Sequence, residues 1–160
     1  MHNTSKLFAS LAALGIDPKM ETFAERKRVQ KTVYLLDKVF GFDFGYYYNW
    51  YLHGPYSPQV TQIIFDVVEG RASIDPQPAN SNLSPEDCQK IERMRTFLNE
   101  DLNSNDKLEL LVSVDYLLNY TENATPNEQE IVEFLNIKKP YFSNEEIIQG
   151  IKRMQSLRRK

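Results

Sequence analysis

Between Phe42 and Leu52 the apolar residues fall on every second position. Phe42, Phe44, Tyr46, Tyr48, Trp50 and Leu52 take the even positions, and Asp43, Gly45, Tyr47, Asn49, Tyr51 and His53 the odd ones. Alternation of this length, dense in aromatics, is the pattern of a strand with one buried face. The flanking segments follow a helical period, so a largely helical frame must accommodate one β element. Gly45 marks a bulge or bend after which pairing starts. Gly54-Pro55 then turns the chain.

Leu7, Leu11 and Leu14, joined by Phe8, stripe a first helix over about residues 5–14, with Gly15 as its stop. Thr22 and Glu25 have capping-box spacing and open a helix running to about Phe40, with Val29, Val33, Leu36 and Phe40 inward. Ser57-Pro58 reads as N-cap and first helical residue, since proline lacks the N–H that would go unbonded there. The helix that follows turns Val60, Ile63, Ile64, Val67 and Val68 inward and closes at Gly70. Residues 71–83 hold at most a short strand around Ile74 and then a polar loop, which separates two subregions, 1–75 and 84–160, of a single domain.

The second subregion reads as wholly helical. Ser84-Pro85 opens a helix with Cys88, Ile91, Met94 and Leu98 inward, and residues 106–120 are apolar on most sides, the mark of the most buried helix. Thr125-Pro126 starts another, with Ile131, Phe134 and Leu135 inward; Ser143 and Glu146 cap the last, which carries Ile147, Ile148, Ile151, Met154 and Leu157. The expected fold class is α+β, mainly α-helical. A winged-helix-like N-terminal half with a small antiparallel sheet or hairpin packs on a C-terminal helical bundle.

The 41% hydrophobic fraction of these 160 residues suffices for a core, and the net charge of −3 argues against a protein that coats nucleic acid. No apolar run nears the roughly 20 residues of a membrane span. The segment Leu7–Ile16 has neither the charged start nor the cleavage site of a signal peptide. One cysteine excludes an internal disulfide framework, so the chain is expected in the cytoplasm.

For nucleophilic catalysis, His53 is the one histidine in a structured segment; Ser57 is better used as a helix cap, and Cys88 reads as a small buried hydrophobe. No metal motif, glycine-rich phosphate loop or dinucleotide fingerprint occurs, and no cofactor or metal is expected. Asp66, Glu69, Asp75, Glu86 and Asp87 read as solvated helix surface.

Two surfaces remain. Lys27, Lys31, Tyr34 and Lys38 share one face of the second helix, as a phosphate-contacting stripe or as a solvated face opposite Val29, Val33 and Leu36. The even face of the aromatic strand reads as core. The odd face sets Tyr47, Asn49, Tyr51 and His53 near Tyr56, either covered by second-half helices or open to a partner, where tyrosine is favoured.

The stretches RKRVQKTVYLLDKVFGFDF and YYYNWYLHGPYSPQVTQIIFDV resemble those of the YwgA-like proteins of bacteria and archaea. Arg28, Gln30, Lys31, Tyr34 and Leu36 match their helix motif; Gly54, Pro55, Tyr56 and Ser57 match their Gly-Pro-Tyr-Ser segment, with His53 where tyrosine is frequent. KKPYFSNEEI is similar to the Lys-Pro-x-Phe-Ser segment of archaeal relatives. More distantly, the pattern is similar to the Panacea, or SocA-like, domain of antitoxins and of proteins linked to phage defence and mobile elements. The resemblance implies a small cytoplasmic interaction or regulatory domain and no catalytic residues. The expected function is a non-enzymatic protein-binding module using Tyr47, Asn49, Tyr51, His53 and Tyr56. Its partner would be a protein such as a toxin or defence effector encoded nearby. The alternative is a winged-helix DNA- or RNA-binding regulator using Lys27, Lys31, Tyr34 and Lys38; a minor third is a toxin-like nuclease.

Overall fold

The structure is a computed structural model of the chain and describes residues 2–74, 82–120 and 126–157. Seven α-helices and one two-stranded antiparallel sheet make the described residues a mainly helical α+β fold. The chain divides into two compact units, Met1–Asn105 and Asp106–Lys160. The division falls at the start of the fifth helix.

The first unit contains α1 (His2–Ala13), α2 (Phe23–Tyr34), β1 (Asn49–Tyr51), β2 (Gly54–Tyr56), α3 (Pro58–Val68) and α4 (Pro85–Leu98), followed by a 3₁₀ turn, Asn99–Asn103. The expected capping box forms at α2: the Thr22 hydroxyl accepts from the Glu25 N–H while the Glu25 carboxylate accepts from the Thr22 N–H. Ser57 caps α3 through the Val60 N–H, with Pro58 inside the first turn. Leu7, Leu11, Val29, Val33, Leu36, Val60, Ile64, Ile91 and Met94 are buried.

The second helix ends in a wider turn. Leu35–Val39 is a π-helix, closed by the Phe40 N–H on the Leu35 carbonyl at 2.8 Å. Such an inserted residue rotates everything beyond it relative to a regular helix. It turns the Asp37 carboxylate inward, onto the segment that follows.

That segment departs from the expected strand. Residues 42–48 are irregular, with Asp43 and Gly45 at positive φ; Phe42, Phe44, Tyr46 and Tyr48 are buried as their parity requires, but the segment joins no β ladder. Their donors are used elsewhere: Asp37 accepts from the Gly45 and Tyr46 N–H groups, both at 3.1 Å, and Gln59 accepts from the Tyr47 N–H. Only Asn49–Tyr51 pairs, in the register Asn49↔Tyr56, Trp50↔Pro55 and Tyr51↔Gly54. The turn is therefore Leu52-His53, and Gly54-Pro55 belongs to the returning strand, which corrects the sequence expectation. Gly54 sits at φ +94°, a conformation that its missing Cβ permits. At this turn the inward parity fails too: Trp50 is half-buried and Leu52 is 82% exposed.

Other inward expectations also need correcting. Cys88 is exposed; the buried residue beside it is Asp87, whose carboxylate caps α4 and pairs with Lys6 at 3.2 Å. On α3 only Val60 and Ile64 are buried, and Val68 is exposed. Ile74 carries no strand, while Asp75 and Thr125 lie outside the described residues.

The second unit contains α5 (Asn105–Asn119, shared at its first residue with the first unit), α6 (Glu128–Lys138) and α7 (Asn144–Ser156). Most of α5 is buried, as its apolar circumference requires. Asn127 caps α6 with Glu130, and Ser143 caps α7 with Glu146. Gly150 lets α7 approach α5 closely: a Cβ there would stand 3.3 Å from Leu110 Cγ. Just beyond α6, the fully buried Lys139 ammonium pairs with Glu109 at 3.0 Å, and the Tyr141 hydroxyl donates to the same carboxylate. No described helix is long and apolar enough to cross a membrane.

Candidate functional site

The Gly-Pro-Tyr-Ser segment is a structural joint before it is anything else. From α2, the Gln30 side chain reaches across to the end of the hairpin. Its amide NH₂ donates to the Ser57 carbonyl at 2.8 Å and to the Thr61 hydroxyl at 2.8 Å, and its amide oxygen accepts from the Ser57 N–H at 3.0 Å. One planar amide thus satisfies both backbone groups of a buried residue, much as a neighbouring strand would. The Tyr56 hydroxyl shares a hydrogen bond with Thr61 at 2.8 Å, tying the hairpin to α3.

This joint sets the hairpin alongside the start of α2 and leaves a half-open pocket of about 340 Å³ in the first unit. Phe23, Arg26, Lys27, Gln30 and Lys31 line it from α2; residues 51–56 line it from the hairpin. Phe23, Tyr51 and Leu52 are exposed large apolar residues, at 52%, 44% and 82%. The Phe23 ring meets His53 edge-on at 5.0 Å, and Tyr51 meets Tyr56 edge-on at 5.3 Å. The Arg26 guanidinium and the Lys27 ammonium stand 5.8 and 5.5 Å from the Phe23 ring centroid. Arg26 also donates to the Met20 carbonyl. Among the described residues, every formally charged side chain lining this pocket is a cation.

The pocket joins the two residue sets that the sequence kept apart. Tyr51, His53 and Tyr56 from the tyrosine set meet Lys27 and Lys31 from the basic set. Tyr47, 71% exposed, and Asn49 project outside it. Of the basic set, Lys31 is buried with interactions of its own, and Tyr34 lies in the core, edge-on to Tyr48 at 5.0 Å. Lys38 stands 3.8 Å from Asp37 and 5.8 Å from the Tyr48 ring centroid. The stripe therefore runs from solvent into the interior and is neither an open cationic face nor a solvated one.

Phe23 and Leu52 were not among the sequence candidates. Phe23 was legible in principle, because it precedes Lys27 by four residues and so shares its helix face. Leu52 was hidden by its parity, which placed it in the core.

Below the pocket's helix, Asp37 organises a second polar centre. Burial raises its carboxyl above the ordinary value, against the opposing pull of Lys38 and the amides of Gly45 and Tyr46. The Tyr46 hydroxyl is buried without a hydrogen-bond partner, and the buried Tyr48 hydroxyl lies within the influence of the Asp37 carboxylate. Burial, and then the Asp37 charge, push Tyr46 up to about 12 and Tyr48 well above its usual value. Both stay protonated at neutral pH, as neutral core residues should.

The remaining sequence candidates resolve into ordinary surface chemistry. Asp66 accepts from Gln62 and Arg71, Glu69 from Arg71, and Glu86 pairs with Lys90. Among the described residues no group of three His, Cys, Asp or Glu side chains is arranged to hold a metal ion. No family model matches the chain, and no curated protein or solved structure matches it either.

Proposed function

We propose that this chain is a non-enzymatic protein-interaction module, antitoxin-like in kind, acting in the cytoplasm on a protein partner such as a toxin or defence effector encoded nearby. The observation that carries this is the exposed apolar frame of Phe23, Tyr51 and Leu52 around a pocket. Large apolar side chains held in water around a concavity mark surfaces that a partner covers. The resemblance to YwgA-like and Panacea proteins supplies the antitoxin and defence context. The winged-helix likeness of the N-terminal half rests on the order helix, helix, hairpin, helix. The regulator reading keeps Lys27 on the pocket rim, but its Tyr34 is in the core.

The assay is co-purification of the tagged chain with the products of its neighbouring genes. Wild type is expected to capture a partner that Tyr51→Ala with Leu52→Asp loses at least tenfold. Capture undiminished in that variant removes the site, and no captured product removes the function.

A further inference from the structure

We infer, resting on the interaction reading above, that the pocket between α2 and the hairpin takes an acidic segment of a partner protein anchored by one bulky apolar side chain. Three observations converge. The first is size. At about 340 Å³ the pocket lies at the low end of the roughly 300–1,000 Å³ typical of ligand sites. It admits one large group, and the rest of any occupant must lie across the rim.

The second is the rim itself. Phe23, Tyr51 and Leu52 line the concavity, yet 52%, 44% and 82% of their surface stays in water. A small molecule confined to the pocket leaves much of that surface wet, whereas a chain segment crossing it removes it from water along with the anchor. The third is charge. The whole chain carries a net −3, yet the charged lining is cationic. Arg26 and Lys27 stand by the Phe23 ring, and the Met20 carbonyl steadies the guanidinium. A cationic patch against the sign of the molecule draws carboxylates specifically, because an acidic segment is repelled by the remaining surface and orients toward this one.

A nucleotide, whose phosphate would also suit Arg26 and Lys27, is the competing occupant that the test distinguishes. The probe is a phage-displayed random peptide library panned on the intact chain, followed by anisotropy titration of the enriched peptides. Enriched peptides are expected to carry an aromatic or leucine flanked by Asp and Glu. Their affinity is expected to fall at least tenfold with Arg26→Glu/Lys27→Glu and, independently, with Leu52→Asp, at an 82% exposed turn position, with circular dichroism checking that each variant keeps the fold. No enrichment, enrichment without acidic excess, or binding equal to wild type in both variants overturns the inference, as does displacement of the peptides by AMP or GMP at micromolar concentration. A natural partner captured by wild type and lost with Tyr51→Ala/Leu52→Asp while acidic peptides fail leaves the interaction reading standing and this inference refuted; no captured partner and no peptide binding refutes both.

Discussion

Gln30 carries more of the local architecture than its polar, unremarkable side chain suggests. Its three hydrogen bonds reach the buried N–H and C=O of Ser57 and the Thr61 hydroxyl. Gln30→Met keeps the length of the side chain and removes all three, leaving the Ser57 N–H buried without a partner while the Ser57 carbonyl keeps the Thr61 N–H at 3.3 Å. At about 1–3 kcal/mol for such a group, the expected loss is about 2 kcal/mol, read from the urea midpoint at constant m-value. A loss below about 1 kcal/mol would mean that water replaces the amide. Asp37 makes a prediction of opposite character. Burial raises its carboxyl above 3.8 in the folded chain. An acid raised on folding favours the fold below its unfolded value, and that contribution is lost as pH rises through the raised one. Relative to Asp37→Asn, wild type is therefore expected to be favoured most below about pH 4 and to lose ground toward neutrality. Urea unfolding of both proteins at stepped pH measures this; a difference that is flat or grows with pH contradicts it.

At the scale of elements, strong local signals and non-local choices separate cleanly. Four helix starts carry capping boxes, at Thr22, Ser84, Asn127 and Ser143, and the sequence spacing of the first and last was enough to place them. A cap is satisfied within one turn, so its reading needs no knowledge of the fold. The aromatic alternation was informative for burial and misleading for pairing. Phe42 to Tyr48 obey it because one side faces the core, but their N–H groups find Asp37 and Gln59 instead of a strand. In the second unit, the tie between α5 and the segment after α6 is ionic. Lys139 and Glu109 are both buried, 3.0 Å apart. Lys139→Met leaves Glu109 with a buried charge that has lost its ammonium partner, and about 3 kcal/mol of stability should disappear. Adding Glu109→Leu should restore much of it, because the paired charges gain little over a well-packed apolar pair. Thermal unfolding of single and double variants decides; an additive double variant refutes the pairing.

At the scale of the whole molecule, the decisive quantity is where charge lies. A net −3 spread over the surface opposes a polyanion, and the basic stripe of α2 runs inward at Lys31 and Tyr34. A fluorescent duplex of about 20 base pairs should therefore show no retention at about 0.15 M salt, where nonspecific attraction to dispersed surface cations is screened. Binding that persists there and falls on Lys27→Ala would restore the nucleic-acid reading. The candidate site depends on this same scale. The sequence held Phe23, Lys27, Tyr51 and His53 as members of separate elements, and only the Gln30 joint brings them to one concavity.

The amino-acid sequence by itself determined the helical class, the caps and stops, the single β element and the inward parity of Phe42 to Tyr48. Each follows from period or from chemistry within a few residues, and those forces act the same in any fold. The tertiary structure alone decided that the strand shortens to Asn49–Tyr51, that the turn is Leu52-His53, that Cys88 is exposed and that Lys31 is buried. Those outcomes depend on which distant group takes a given donor or covers a given face. Asp37 competes with a strand for the Gly45 and Tyr46 amides, and Gln30 competes with water for Ser57. A competition of that kind is settled by geometry between elements, which local pattern does not encode.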